Sequence, residues 1–298
     1  MKFLLTGASG FLGSALVRAL ENRHATVYTL VRRTPRHGRE ISWRPDEAYV
    51  DVASIPQIDV VVHLAGENIA GGRWSAKRKA RIRDSRINGT QLLANTLAHL
   101  DERPHTLISA SAIGFYGHRQ DEVLTENSPA GTGFLPEVCQ AWENAAQPAI
   151  DAGIRTVFPR IGMVLSASGG ALAKMRLPFR LGLGGIVGSG RQYMSWISVD
   201  DLIKIILYAA DTPAQSGPIN AVSPAPVTNL EFTRTLGRIL SRPTLLPLPA
   251  PLARFALGEM ADALLLASTR VHPTRLQAEK FPFSHPSLEF ALLHALSQ

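Results

Sequence analysis

One cysteine, Cys139, stands in the 298 residues, so neither an intrachain disulfide nor a cysteine-built zinc centre can form. No apolar run approaches the eighteen or so residues of a membrane span, and no basic segment with a cleavage site opens the sequence. The expectation is a cytoplasmic protein with no membrane partner. Internal repeats and low-complexity tracts are also missing. No helix-turn-helix, zinc-finger or aromatic RNA-binding motif accompanies the basic residues, which argues against nucleic acid as a partner.

An apolar content of 45% over this length supports a full core, most simply as one large domain with a smaller one. The net charge of +7 is concentrated in the run from Arg73 to Arg83. Such a run commonly forms a solvated helix face; the alternative is a seat for phosphate groups.

The stretch Leu4-Leu5-Thr6-Gly7-Ala8-Ser9-Gly10-Phe11-Leu12-Gly13 organises the rest. A buried strand (Phe3 to Leu5) precedes it and a helix from Phe11 to Leu20 follows. Gly7 permits the tight turn, Gly10 lets backbone N–H groups approach a pyrophosphate, and Gly13 allows close helix–strand packing. Ser9, Phe11 and Leu12 complete this candidate dinucleotide loop. The next strand, Thr26–Val31, ends at Arg32-Arg33, about 20 residues beyond the glycines. There an acid would bind the ribose 2′-OH of NAD, whereas arginine accommodates the 2′-phosphate of NADP. The arginines favour NADP, with Arg32 as the candidate contact, unless both are mere surface charge. A short third strand is expected around Asp51-Val52.

The run from Asp59 to Gly66 is β-branched and continuous, as in a parallel strand buried on both faces. Leu64, Ala65 and Gly66 would let a ribose or adenine lie against backbone. His63 is either a proton carrier or a strand-end residue hydrogen-bonded to its surroundings. The basic helix runs on through Arg86-Ile87-Asn88-Gly89-Thr90. A fifth strand, from Thr106 towards Gly117, releases Ser111 and Tyr116 at its end.

Together the glycine loop, D-V-V-V-H-L-A-G, R-I-N-G-T, S-A-S-A-I-G-F-Y-G and S-W-I-S-V-D-D-L resemble the extended short-chain dehydrogenase/reductases. More narrowly, Gly66-Glu67-Asn68-Ile69, Ala141-Trp142-Glu143, Phe179 to Gly185 and Gly188 to Gln192 resemble the atypical YfcH-type epimerase-family proteins along essentially the whole chain. That resemblance implies an NADP-binding fold. It also implies catalysis by a serine at the end of the fifth strand and a Tyr-x-x-x-Lys pair, in which lysine lowers the tyrosine pKa. Ser111 matches the serine. The pair is missing: four residues beyond Tyr28, Tyr49, Tyr116, Tyr193 and Tyr208 stand Arg32, Ala53, Gln120, Ile197 and Thr212.

In its place, Glu143 is a candidate acceptor for the ribose diol, and Tyr116 is either a proton donor or a wall of the substrate pocket. Arg86 occupies a position where the family sets a polar residue against the cofactor. Cys139 has no visible base and suits packing. Asp200 and Asp201 look like a metal pair but suit the N-cap and first turn of a helix from Leu202 to Ala210, so no metal site is expected. The family's usual histidine is replaced by Ser198.

The segment after Ile161 is glycine-rich and carries Lys174, Arg176, Arg180 and Arg191, which suit a phosphate or carboxylate, or else are solvated. Pro243 to Pro251 forms a stiff connection, and Leu252 to Leu266 an apolar helix of a C-terminal module that caps the lobe or makes a homodimer. The resulting expectation is an α/β doubly wound parallel sheet (Rossmann, extended type) with a smaller C-terminal substrate lobe. Residues 1–165 and about 195–222 form the NADP-binding domain; 166–194 and 223–298, with a module over about 247–298, form the lobe. Two functions follow. One is an NADP-dependent oxidoreductase or epimerase acting on a small, hydroxylated, anionic or sugar-nucleotide substrate. The other is a non-catalytic NADP(H)-binding regulatory or scaffold protein that has lost the catalytic pair.

Overall fold

Apolar side chains alternate along the first strand, with Phe3 and Leu5 packed in one buried cluster and Leu4 in another, so this strand must separate two layers. In the computed structural model, which describes residues 1–297, the strand is β1 (Lys2–Thr6). Chain order continues with α1 (Phe11–Asn22), β2 (Thr26–Val31), β3 (Glu40–Arg44), β4 (Tyr49–Val50), β5 (Val60–His63) and α2 (Ala76–Ala98). Next come β6 (Thr106–Ser109), β7 (Ser111–Ala112), β8 (Val123–Leu124), α3 (Phe134–Asn144), α4 (Gln147–Asp151), β9 (Arg155–Ile161), β10 (Met163–Leu165) and α5 (Gly170–Arg180). The remainder is β11 (Tyr193–Met194), β12 (Trp196–Ser198), α6 (Val199–Asp211), β13 (Gly217–Ala221), β14 (Val227–Thr228), α7 (Asn229–Ile239), α8 (Ala250–Leu257), α9 (Glu259–Ala261), β15 (Arg270–Val271), α10 (Thr274–Ala278) and α11 (Leu288–Ser297).

The main sheet has the order β13-β9-β6-β5-β1-β2-β3-β4, parallel except for the β3–β4 pair, and β7 extends the pairing to β9. Leu16 and Leu20 of α1 pack with α6 on one face, and Leu93, Ala94 and Leu97 of α2 pack with α4 on the other. The chain leaves β1 towards β2 and β3, then returns to the opposite side at β5. Strand order thus reverses between β1 and β5, which run parallel, and in such sheets the ligand crevice opens outside the carboxyl ends at that point.

Two expectations change here. The third strand is Glu40–Arg44, while Val52–Ser54 after Asp51 is a 3₁₀ turn. Ile41 and Trp43 alone point inward, giving the polar alternation of a strand near a sheet edge. The helix expected from Leu202 begins at Val199. Its N-cap is Ser198, whose hydroxyl accepts the Asp201 N–H at 3.1 Å, so both aspartates lie in the first turn.

Pro159 sits inside β9, where it has no N–H to donate. Pairing of β6 with β9 stops at Ile108↔Val157 and resumes as Ser111↔Arg160, with the register kept. The interrupted ladder frees the chain around Ala110 just before Ser111. A third buried cluster, built from Leu172, Trp196, Phe232, Leu236 and Leu292, lies in the C-terminal part. Among the described residues no helix is long and apolar enough to cross a membrane.

Candidate functional site

Gly7 has φ +71°, a conformation that favours glycine, and a Cβ there would lie 2.9 Å from Ala65 N. A Cβ on Gly13 would collide with the Gly7 carbonyl. The turns after β1 and β5 are therefore held in close contact. Thr6 ties them further: its Oγ1 accepts the N–H groups of Leu64 and Ala65, each at 3.2 Å. Its own proton is then directed to His63 Nδ1, 2.6 Å away. Burial, reinforced by the nearby Arg86 charge, pushes the His63 pKa down to about 4. A neutral ring that accepts from Thr6 is a structural part of the crevice floor.

Helix α1 begins at Gly10 with no side-chain cap and no acid in its first turn. Its leading N–H groups and the positive end of its dipole face the crevice, which suits a dinucleotide pyrophosphate. Phe11 is wedged against Gly169, where a Cβ would come within 2.6 Å of its ring. The segment after β10 thereby reaches the glycine loop.

At the end of β2 the two arginines separate in role. Arg33 forms a bidentate pair with Glu40. That contact, with the Arg36 N–H, draws the Glu40 carboxyl down to about 2. Arg32 is exposed and has no hydrogen bond or ion pair among the described residues, so its guanidinium can meet an anion at this edge.

Beyond β6 lies a network of buried polar groups. Ser111 Oγ donates to Glu143 Oε1 at 2.6 Å, and Arg160 grips both carboxylate oxygens through Nε and Nη2, each at 2.9 Å. Arg160 Nη1 donates to the Tyr116 hydroxyl at 3.0 Å, and that hydroxyl donates to Asn220 Oδ1 at 2.6 Å. The guanidinium lies over the Phe115 ring, 3.4 Å from its centroid. Tyr116 is fully buried and its pKa is raised by desolvation, which Arg160 opposes. A residue expected to donate a proton or wall the pocket is thus an interior brace. Glu143, at 12% side-chain exposure, is the network member nearest the surface, whereas Ser111 is 2% exposed.

Arg86 lies against Gly66 and over the Trp142 ring, and its Nη1 donates to the Glu67 and Ile82 carbonyls at 3.0 Å. It braces the turn after β5. Burial lowers its pKa. Burial also pushes the Cys139 thiol up to about 12, which removes it as a nucleophile. Arg160 was the residue missed on reading the sequence. An arginine between Pro159 and Ile161 in an apolar strand had to have a buried partner, and that was the available signal.

A doubly wound sheet with an uncapped glycine loop at its switch point defines a nucleotide-binding protein of the extended short-chain dehydrogenase/reductase type. The chain belongs to the NAD dependent epimerase/dehydratase family, whose pattern matches residues 3–222, and residues 248–295 match a domain of unknown function, DUF1731. It is similar to Epimerase family protein Mb2239 of Mycobacterium bovis, with 46% identity over 294 residues, 99% of this chain and 97% of that protein. The crystal structure of human epimerase family protein SDR39U1 (isoform 2) with NADPH superposes with a TM-score of 0.92 at 34% identity, covering 100% of both chains. UDP-N-acetylglucosamine 4-epimerase from Bacillus cereus shares the fold, with a TM-score of 0.77 at 17% identity over 99% and 98% of the two chains.

Proposed function

We propose that the protein is an NADP-dependent oxidoreductase or epimerase in which the Ser111–Glu143–Arg160 network replaces the Tyr-x-x-x-Lys pair. The carrying observation is that Glu143, held by Ser111 at 2.6 Å and by Arg160 at 2.9 Å, is anchored where Ser111 leaves the carboxyl edge of the sheet. A carboxylate has about four lone-pair sites. Three are in use, and the remaining acceptor capacity suits a ribose or substrate hydroxyl. Glu143 is then the group that meets cofactor or substrate, with Ser111 and Arg160 as its positioning residues.

The glycine loop and the start of α1 would hold the pyrophosphate, with Leu64, Ala65 and Gly66 beside the adenosine. Arg32 would meet the 2′-phosphate. Bound NADP supplies or accepts a hydride. The NADPH in the human relative supports this cofactor. An anionic substrate is supported by Arg176, whose buried Nε has no hydrogen-bond partner among the described residues. Lys174 instead ties α5 to the Ala70 carbonyl at 2.7 Å.

The buried Tyr116 hydroxyl favours a second reading, a cofactor-binding protein without a reaction. Fluorescence titration with NADPH and NADH tests cofactor choice. Arg32→Ala should weaken NADPH by tenfold or more, an energy of about 1.4 kcal/mol, and leave NADH nearly unchanged. Equal losses would remove Arg32 from cofactor selection. A substrate screen with Glu143→Gln separates the two readings: turnover abolished by this change with NADPH binding kept supports the enzyme.

A further inference from the structure

Three potential metal ligands from separate segments meet where the C-terminal helix docks. Asp200 lies in the first turn of α6, His285 precedes α11, and His294 lies on α11; one donor atom from each is within 4.8 Å of the others. Asp200 Oδ2 and His294 Nε2 are hydrogen-bonded at 2.8 Å. The two imidazoles stack with centroids 4.4 Å apart.

The groups behind them point to a ligand role. Asp201 is completely buried and accepts the N–H groups of Ser284 at 2.7 Å and His285 at 2.9 Å, which fixes the segment carrying His285. Its Oδ2 is 3.8 Å from His285 Nδ1, a buried nitrogen with no hydrogen-bond partner among the described residues. The Asp201 carboxylate stands on that side of the ring, beyond hydrogen-bond range, where its charge favours the tautomer with the proton on Nδ1 and leaves the Nε2 lone pair for a metal. Lys204, which donates to Ser284 Oγ, is the neighbouring cation on α6. The two aspartates therefore outweigh it.

We propose that Asp200, His285 and His294 bind one divalent ion of the zinc type, with water completing the shell. Two imidazoles and a carboxylate suit such an ion, held at about 2.0–2.1 Å by each ligand. Tetrahedral donors at that distance lie about 3.3 Å apart. Asp200 and His294 need to open slightly, and the His285 ring must tilt out of the stack to draw in. Side-chain exposures of 41% for Asp200 and 40% for His294 leave room for that movement and for water. The ion would fasten α11 to the start of α6, joining the C-terminal module to the main fold.

The test is calorimetric titration of the tag-free full-length chain with Zn²⁺, with Co²⁺ absorption as a geometric probe. One equivalent should bind, Co²⁺ should show visible d–d bands that Zn²⁺ removes, and Zn²⁺ should raise the unfolding temperature. Asp200→Asn and His294→Ala, both at half-buried positions, should each weaken Zn²⁺ by at least tenfold and abolish the thermal shift, while keeping the wild-type circular dichroism. The absence of one-equivalent binding overturns the proposal. So does binding of wild-type strength in both variants, which would place the ion elsewhere.

Discussion

Arg160 is 4% exposed in the middle of a parallel sheet, and burying a lone guanidinium there would cost several kcal/mol. The Glu143 carboxylate offsets that cost, and its contacts raise the Arg160 pKa against the opposing effect of burial. Breaking such a pair costs more than never having made it, because one charge is left behind. Arg160→Met should therefore destabilise the protein by about 3–5 kcal/mol, whereas Glu143→Gln combined with Arg160→Met should recover much of that loss. Urea unfolding of the single and double variants measures the coupling. Strict additivity would mean that the two charges do not depend on each other. Ser111 and Glu143 could be singled out in the sequence because they sit in recognisable motifs. Arg160 could not be connected to them, since its partners Tyr116 and Glu143 come from two other segments, and Asn220, which accepts from Tyr116, from a third. The same distance in sequence hid the burial of Tyr116.

At the scale of elements, β5 carries both core and crevice. Val60, Val61 and Val62 are fully buried, and His63 closes the strand with its ring against the edge of Trp43. The folded-state pKa of about 4 lies below the ordinary histidine value of 6.5, so protons bind the unfolded chain first as pH falls. This contribution to stability is complete above pH 6.5 and is lost progressively towards pH 4. The interval corresponds to about 3 kcal/mol. Urea unfolding at pH 7.5 and pH 4.5 should show a smaller loss for His63→Gln than for the natural chain. An equal loss in both would assign the acid sensitivity to other groups. Element by element, strands with continuous apolar runs were legible, and β2 coincides with its expected span. β3 was not, because its inward residues are only Ile41 and Trp43 among polar neighbours. The single apolar helix expected from Leu252 to Leu266 is broken at Gly258, whose φ is +62°, into α8, α9 and a π turn at Asp262–Leu266. Leu252 and Phe255 on α8 are exposed, so apolar composition there did not signal burial.

Across the whole molecule, the C-terminal segment enters three of the four buried clusters instead of standing apart. Strand β15 pairs with β8, and Val271 packs in one cluster with Tyr116 and Leu124. Leu276 and Phe281 join the core beneath α1 and α6, while Leu288 and Leu292 pack against Trp196 and Phe232. Lys79 on α2 pairs with Glu259 on α9 at 2.9 Å, and Arg73 lies beside Gly258, so the segment also touches the far side of the crevice. Each buried aliphatic or aromatic side chain of this kind is worth about 1.5–3 kcal/mol. Together these five approach the roughly 5–15 kcal/mol by which a typical domain is stable. The glycine loop and sheet are therefore expected to depend on residues beyond 247 for stability, even though none of those residues belongs to the nucleotide motif. Calorimetry of the full chain should show one cooperative transition. A chain ending at residue 247 should lose its near-ultraviolet dichroism and fail to bind NADPH, since the faces left by Val271, Leu276 and Leu292 would be open to water. A truncated chain that melts cooperatively and still binds NADPH would instead make the segment an accessory, with the sheet domain stable by itself.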